Sequence, residues 1–236
     1  MNEKEAIRVL GQVTENLDKH GIEYWLDMGT LLGAIREKKF IPWDHDIDLG
    51  TWHGNAIKIR PVSKELHDKG FEIYFYDYHI SIQKGEVPVN ISLYCLSNDK
   101  AIKTWYVSKR TMLGEIRMFL AATLLSQNHS KVHNMYPMAT SVSKIIFRLS
   151  HILPHSLRWP LAKIMRTSHP KIGLKCVKVL IPSHYFMNLS TIRFYGMEFK
   201  VPAEVEEYLA YRYSKDWRVP KKDYIYYQED RAICRQ

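Results

Sequence analysis

Hydrophobic and polar positions along the chain follow two periods, and each period predicts a different kind of element. Residues 2–19 carry apolar side chains at helical spacing and are followed by Gly21, which predicts an amphipathic helix that ends there. Three later runs, 71–78, 80–84 and 87–96, are rich in β-branched and aromatic residues and are separated by short turns. These runs predict a meander of strands.

Between these two regions the sequence predicts a strand, a helix, a loop and a second strand. The first strand covers the apolar run 22–26, and Thr30 is the predicted N-cap of the helix. Pro42 forces the loop into an extended approach to the second strand. Side chains alternate between the two faces of a strand. In the second strand we therefore expect Ile47 and Leu49 to face a core and the intervening acidic side chains to face the opposite side.

The remaining periodicity is helical. The pattern in residues 107–126 predicts a helix. In residues 140–166, apolar residues stand at helical spacing between basic residues. We therefore predict the α+β class, with a mixed sheet, flanking helices and a basic helical region. The predicted division is a core of residues 1–99, the basic helical region 100–185 and a C-terminal segment 186–236 that completes the core.

Three aspartates, Asp44, Asp46 and Asp48, stand at every second position where the second strand begins. Carboxylates this close repel one another, and a hard divalent cation such as Mg²⁺ relieves the repulsion. An EF-hand calcium loop is excluded, because the sixth and twelfth positions counted from Asp44 are Leu49 and Asn55 instead of Gly and Glu. A solvated aspartate-rich turn remains the alternative to a metal site.

The predicted first turn of the helix, at Gly29 and Thr30, adds a second chemical feature. Free backbone amides at a helix N-terminus bind phosphate oxygens. If the acidic strand returns beside this turn, the amides that bind phosphate and the carboxylates that bind metal face one cleft, which suits a nucleotide diphosphate. The segment therefore predicts phosphoryl chemistry.

Two stretches of the chain carry a family resemblance. Residues 29–36 followed by 41–48 form the first, and residues 199–220 form the second. Both resemble segments of the LicD family, which takes in bacterial phosphocholine transferases and, more distantly, fukutin-related ribitol-phosphate transferases. Members of this family are variants of the nucleotidyltransferase fold. The resemblance therefore implies a nucleotidyltransferase-like catalytic core in residues 1–99, completed by residues 186–236.

The resemblance also implies an activity and a set of site residues. The activity is metal-dependent transfer of a phospho-alcohol from a CDP-linked donor such as CDP-choline to a hydroxyl of a cell-surface or lipid-linked glycan, with release of CMP. Lipopolysaccharide and teichoic acid are acceptors of this kind. Asp46 and Asp48 become the ligands of Mg²⁺ or Mn²⁺, and Asp44 becomes a third catalytic carboxylate and the candidate proton acceptor. The predicted contacts to the donor phosphates are Gly29, Thr30, Arg36 and Asn90.

Several positions depart from the family pattern or have an ordinary alternative. Asn90 stands where members usually carry a carboxylate, and an amide can ligate Mg²⁺ but cannot neutralise charge. Asp77 is a candidate substitute for that carboxylate. His45 replaces a common aspartate and is expected to point away from its acidic neighbours, and Ser214 stands where glycine is frequent. For Arg36 an ordinary ion pair on the helix surface is the alternative to a diphosphate contact.

Two other functions therefore remain open. The loss of a carboxylate at Asn90 fits a catalytically weakened or inactive relative that binds a nucleotide or a glycan. A nucleotidyl transferase that moves the whole nucleotide is the other alternative.

Composition excludes several classes of protein. A chain of 236 residues with 46% hydrophobic residues is long and apolar enough to bury a core. The three cysteines, Cys95, Cys176 and Cys234, are far apart and predict neither a disulfide framework nor a zinc knuckle. The N-terminus is charged, and the longest apolar run, 118–125, is too short to span a bilayer. We therefore expect a cytoplasmic protein, either free or peripheral at the inner face of the membrane.

Charge is concentrated in one part of the chain. Residues 100–185 contain 14 Lys or Arg and one Asp or Glu. The excess of positive charge in this region is larger than the formal net charge of +9 for the whole sequence. Three interpretations fit this concentration of charge. They are peripheral membrane contact through residues 140–166, a helical cap that is solvated or lines the diphosphate cleft, and nucleic-acid binding. The absence of a recognisable nucleic-acid motif argues against the third interpretation, and no nucleic-acid partner is predicted.

Overall fold

A computed structural model describes residues 1–76, 78–108, 112–125, 140–167 and 174–234. The chain divides into two compact units. The first unit consists of Met1–Thr104 with Lys178–Gln236, and the second consists of Trp105–Val177. The division into 1–99, 100–185 and 186–236 made from the sequence stays a prediction.

Helices and strands alternate along the described residues. The helices are α1 (Glu3–Lys19), α2 (Met28–Arg36), α3 (Ala56–Asp68), α4 (Met112–Leu125), α5 (Thr140–Ile152), α6 (His155–Thr167), α7 (His184–Met187), α8 (Val205–Tyr213) and α9 (Tyr226–Glu229). The strands are β1 (Trp25–Leu26), β2 (Ile47–Trp52), β3 (Glu72–Phe75), β4 (His79–Lys84), β5 (Val87–Ser97), β6 (Lys100–Ser108), β7 (Leu174–Pro182), β8 (Leu189–Phe194) and β9 (Met197–Pro202).

The main sheet is mixed. Its strands run in the order β1-β2-β5-β4-β3, and β6 pairs with both β5 and β7. Strands β2 and β5 are parallel, whereas β1 with β2, β3 with β4, and β4 with β5 are antiparallel. Strands β8 and β9 form a separate antiparallel pair. The predicted α+β class with a mixed sheet and flanking helices is confirmed.

The central strand β2 separates apolar from acidic side chains as its period of two predicts. Ile47 and Leu49 are fully buried in the core, and Asp48 between them belongs to the opposite face. Asp48 pairs in register with Asn90 of the parallel strand β5, and Asn90 pairs with Ser81 of β4. One row of polar residues therefore crosses three neighbouring strands on the face opposite the core.

The amphipathic helix predicted at the start of the chain is present as α1. Its apolar stripe, which includes Val9, Leu10 and Val13, is fully buried. Asn2 caps the helix by accepting a hydrogen bond from the Glu5 amide over 3.2 Å. The predicted meander is also present as β3, β4 and β5.

Two predicted elements are present with shorter bounds than predicted. The helix predicted from residue 107 begins only at Met112, because 100–108 form strand β6. Asn98 and Asp99, both with positive φ (45° and 58°), make the tight turn that folds β6 back on β5. The strand predicted over 22–26 is reduced to Trp25–Leu26, because its ladder with β2 covers those two residues.

The second unit is a group of helices around a small apolar cluster. Ala121, Leu124 and Ala162 are buried together, with Leu153 and Met165 packed against them. Hydrogen bonds between elements supplement this packing, since the Arg117 guanidinium donates to the carbonyl oxygen of Met165 over 2.9 Å. Within the described ranges, no helix has both the length and the apolar character that a bilayer span requires.

Candidate active site

The acidic residues converge on the first turn of α2. Asp44 and Asp46 precede β2, and Asp48 is its second residue. A Cβ atom added at Gly29 would overlap with the Asp44 Oδ2 atom and would lie 3.9 Å from the Asp48 Oδ2 atom. Two carboxylates therefore share the space beside the helix N-terminus, and a side chain at position 29 would displace that of Asp44 from its observed position.

Thr30 connects the helix to the acidic strand and does not cap the helix. Its buried Oγ1 atom accepts a hydrogen bond from the Asp48 amide over 2.8 Å. The predicted N-cap at Thr30 was wrong, because α2 starts at Met28 and its N-cap is Asp27. The Asp27 Oδ1 atom accepts from the Met28 amide over 2.9 Å. Met28, the first residue of the helix, adopts a positive φ of 43°.

Asn90 belongs to the same cluster. Its Nδ2 atom donates a hydrogen bond to the Asp46 Oδ2 atom over 2.8 Å, and its backbone lies in register with Asp48. Asn90 therefore takes the place next to the carboxylates that the comparison with the family pattern assigns to another acidic residue. Asp77, the suggested substitute, lies outside the described residues.

Crowding of the carboxylates changes their acidity. Burial and the neighbouring Asp46 carboxylate raise the pKa of Asp44 to about 7. Burial and Asp46 likewise raise the pKa of Asp48 well above its usual range, against the opposing charge of Lys103. Among the described residues, no Lys or Arg forms an ion pair with these three aspartates. The cluster is therefore short of positive charge.

This donor set fits a Mg²⁺ or Mn²⁺ ion that is shared with a substrate. Within the described ranges, no three His, Cys, Asp or Glu side chains form a ready metal centre. Mg²⁺ does not need one, since it is commonly held by one or two carboxylates together with water and substrate phosphates. Asp46 and Asp48 with a diphosphate would satisfy that requirement.

Arg36 is engaged elsewhere in the structure. Its guanidinium donates to the Glu37 Oε1 atom over 2.7 Å and 3.2 Å, and to the Trp217 carbonyl oxygen over 3.2 Å. The side chain of Arg36 is largely buried by these contacts. Arg36 therefore forms an ion pair with Glu37, and its contact to the donor diphosphate stays a prediction.

His45 and Ser214, the other departures from the family pattern, have different surroundings. His45 is exposed, and its amide donates to the Asp44 Oδ1 atom over 3.0 Å. Ser214 ends α8 with a φ of 86°, in the region that favours glycine. The backbone at position 214 therefore explains why glycine suits this place.

A buried ionic network anchors the start of α2. Asp27 is fully buried and accepts hydrogen bonds from the Tyr94 hydroxyl (2.6 Å), the Tyr208 hydroxyl (2.9 Å) and Arg212 (3.2 Å). The Lys103 Nζ atom lies 3.8 Å from the same carboxylate. Burial alone would raise the pKa of Asp27, but the charges of Lys103 and Arg212 outweigh it and hold the pKa below its usual range.

Arg212 extends this network to the C-terminal segment. It forms an ion pair and hydrogen bonds with Asp230, which is itself buried. Asp27 and Asp230 therefore share the buried Arg212, and Lys103 lies close enough to act electrostatically on both Asp27 and Asp48. Sequence analysis missed these partners because no local pattern links positions so far apart in the chain.

The C-terminal segment also reaches the acidic cluster itself. Partial burial, with the charges of Asp46 and Asp48 added to it, raises the pKa of the Tyr226 phenol, whose side chain is 45% exposed. The Lys222 Nζ atom lies 5.5 Å from the ring centroid of Trp43, the residue before Asp44. The tyrosine-rich composition of this segment was the only sequence signal for such a role.

The mixed sheet carries an acidic cluster at the start of β2, beside the N-terminus of a helix. A model of the LicD/FKTN/FKRP nucleotidyltransferase domain matches residues 21–161, more than half of the sequence. The chain therefore belongs to the LicD/FKTN/FKRP family, as its resemblance predicted.

Several curated proteins are similar to parts of the chain. An uncharacterized protein of Rickettsia typhi is 29% identical over 109 residues, which cover 45% of this chain and 35% of that protein. The human ribitol 5-phosphate transferase FKRP is 53% identical over 60 residues, 23% of this chain and 12% of FKRP. The Haemophilus influenzae lipopolysaccharide cholinephosphotransferase LicD is 59% identical over 32 residues, 14% of this chain and 12% of LicD. The matches thus span from about a tenth to a third of the relatives' lengths.

Among solved structures, the lincosamide antibiotic adenylyltransferase LnuA in its lincomycin-bound form aligns with a TM-score of 0.39 and 11% identity. That alignment covers 84% of this chain and 79% of LnuA.

Proposed function

We propose that this protein transfers a phospho-alcohol from a CDP-linked donor to a hydroxyl of a glycan or lipid-linked glycan and releases CMP. The observation that carries the proposal is the meeting of the Asp44 and Asp48 carboxylates at the Gly29 end of α2. Two relatives that share short, highly identical segments are named for transfer of ribitol 5-phosphate and of phosphocholine. Both names describe movement of a phosphate that carries an alcohol.

In the proposed reaction the acceptor oxygen attacks the phosphorus atom that carries the alcohol. A new phosphorus–oxygen bond forms, the bond to the bridging oxygen of the diphosphate breaks, and CMP leaves with that oxygen. Asp46 and Asp48 would hold Mg²⁺ or Mn²⁺, which supplies charge neutralisation on the diphosphate and on the leaving CMP. Backbone amides at Gly29 and Thr30 would orient donor phosphate oxygens.

Asp44 is the candidate acceptor of the hydroxyl proton. It lies at the same helix end as Asp48, and its raised pKa suits a group that gains a proton during the reaction. A base in this position contributes about 10²- to 10⁴-fold to a rate. Alignment of the acceptor hydroxyl with the donor supplies much of the rest.

Asn90 supports a second candidate function. The amide that donates to Asp46 satisfies that carboxylate without adding negative charge. A site with fewer charges would hold a divalent ion less tightly, which fits a non-catalytic relative that binds a nucleotide or a glycan.

Metal-dependent turnover of CDP-alcohols is the decisive test. The purified chain is incubated with a glycan acceptor and CDP-choline, CDP-ribitol, CDP-glycerol or ATP, with and without Mg²⁺, while CMP and pyrophosphate are measured. We expect CMP release from one CDP-alcohol that requires both the metal and the acceptor. Donor binding without turnover would favour the binding protein, and pyrophosphate release from ATP would favour a nucleotidyl transferase.

Replacing the proposed metal ligands tests the site directly. Asp46→Asn and Asp48→Asn remove a charge but keep the size of the side chain, so we expect turnover to fall by at least ~10²-fold while the fold persists. Asp68→Asn, at the end of α3 and outside the cluster, serves as the matched control. Wild-type rates in either site variant, with circular dichroism unchanged, would contradict the assigned roles.

A further inference from the structure

Two helices of the second unit turn aliphatic side chains toward solvent. We call these side chains the aliphatic surface, and their exposed fractions range from 37% to 76%. Its members are Val142, Ile145, Leu149 and Ile152 of α5, and Leu157, Leu161 and Ile164 of α6. Within each helix they are spaced by three or four residues, so each set forms one continuous stripe.

Among the described side chains of the same two helices, the fully buried ones are small. In α5 the buried residues include Ser143 and Ser150, and the Ser150 hydroxyl donates to the Thr123 carbonyl oxygen over 3.1 Å. Among the described side chains of α6, the small Ala162 is buried with Leu124 of α4, and Met165 is partly buried against them. A helix that only packs on its own domain shows the opposite arrangement, with its large apolar residues inside.

Positive charge accompanies the aliphatic surface. Lys144 and Arg148 are both exposed, and their positions in α5 place them along one side of its stripe. The whole region 100–185 has 14 basic residues against one acidic residue. A partner for this surface must therefore accept aliphatic side chains and also carry negative charge.

We propose that the aliphatic surface of α5 and α6 binds an anionic lipid bilayer from one side, with both helices lying in the interface. Exposed leucine and isoleucine side chains enter the boundary between headgroups and acyl chains, while lysine and arginine contact anionic headgroups. A nucleic acid would use the charge but not the aliphatic stripes. A second copy of the chain would bring two strongly basic regions together, which charge repulsion opposes.

This inference concerns attachment and does not depend on the proposed transferase activity. If the acceptor is a lipid-linked glycan, attachment would bring the enzyme to the surface where that acceptor lies. Binding can be measured without donor, acceptor or metal, so failure of one proposal leaves the other open to its own test.

Vesicle binding tests the proposal. The full chain is mixed with phosphatidylcholine vesicles that contain or lack phosphatidylglycerol, and the bound fraction is measured by flotation. We expect binding to the anionic vesicles that weakens as salt is added, because salt screens the headgroup charge. No binding to the anionic vesicles, or equal binding to both kinds, would overturn the proposal.

Two variants separate the aliphatic and electrostatic contributions. The double variant Leu149→Gln with Ile152→Gln removes two exposed apolar side chains and is expected to weaken binding by at least about 10-fold. Lys144→Gln with Arg148→Gln is expected to weaken binding to the anionic vesicles by a similar factor of about 10. Ile57→Gln changes an equally exposed aliphatic residue on α3 and should bind as the wild type does.

All five replacements lie at exposed positions, and unchanged helical circular dichroism verifies that the three variants fold. Wild-type binding by both double variants would overturn the proposal. Sedimentation velocity provides the remaining check. A dimer that the Leu149→Gln, Ile152→Gln variant abolishes, in a protein that ignores vesicles, would assign the surface to a second copy of the chain.

Discussion

At the residue scale, the site depends on the missing side chain of Gly29. Gly29→Ala would place a methyl group where the Asp44 carboxylate lies. Asp44 can rotate away at little cost because the overlap is with the free end of its side chain, and alanine favours the helix by up to ~1 kcal/mol over glycine. We therefore expect stability to be kept while turnover falls by about 10²-fold, since a small misplacement of reacting groups is costly.

The matched control for this prediction is Gly54→Ala, whose added methyl group would meet no atom within 4 Å. It should keep both activity and stability. Measurement of CMP release alongside urea unfolding separates the two effects. A Gly29→Ala enzyme with normal turnover would show that Asp44 does not need its observed position.

At the element scale, the contact of β1 with β2 depends on a second glycine. A Cβ atom added at Gly50 would overlap with Trp25 Nε1 and lie 3.0 Å from Trp25 Cζ2, and Trp25 is fully buried. The indole ring cannot move without disturbing the core, so we expect Gly50→Ala to lower the free energy of unfolding by about 1–3 kcal/mol. Urea unfolding, with Gly54→Ala again as control, measures the loss. Unchanged stability would contradict the close approach of the two strands.

Elements with strong local periodicity were the ones that sequence could predict. Helix α1 and strands β3 to β5 follow their apolar patterns closely. Strand β6 was not predicted, and its last two residues were included in the next helix, because the strand depends on pairing with β5. Asn98 and Asp99 do carry the signal of a tight turn. The N-cap of α2 moved from Thr30 to Asp27 because Thr30 is used to bind the amide of β2.

The residues of the site were easier to predict from the sequence than their spatial arrangement. Periodicity predicted that Asp48 would turn away from the core, but not that Asn90 would lie beside it and bond to Asp46. The partners of Asp27 come from positions 94, 103, 208 and 212, and their meeting is a property of the folded chain.

At the scale of the whole molecule, Arg212 connects the two chain segments that form the first unit. Arg212→Met would leave the buried carboxylates of Asp27 and Asp230 without their shared partner. Loss of one partner from a buried ion pair costs about 3–5 kcal/mol, and we expect a decrease of that size in urea unfolding. Arg218→Met, which removes an exposed pair with Glu206, should cost no more than about 1 kcal/mol. Equal losses in the two variants would contradict the anchoring role.

The same network predicts a pH dependence of stability. Because the folded state holds the pKa of Asp27 below that of the unfolded chain, ionised Asp27 stabilises the fold above the unfolded pKa. That contribution is lost as pH falls through the folded pKa. The stability difference between wild type and Asp27→Asn should therefore be largest near neutral pH and shrink in acid, as urea unfolding at several pH values would show. A difference that grows in acid would contradict the lowered pKa.

The hydrogen bond between Arg212 and Asp27 joins residues 185 positions apart in the chain. Until the later residue arrives, the carboxylate that starts α2 has no guanidinium partner and is costly to exclude from water. Contacts of such long range make folding slow and leave incomplete intermediates exposed. Newly synthesised molecules should consequently gain a functional centre only at a late stage, after the Arg212 region has been translated and has docked.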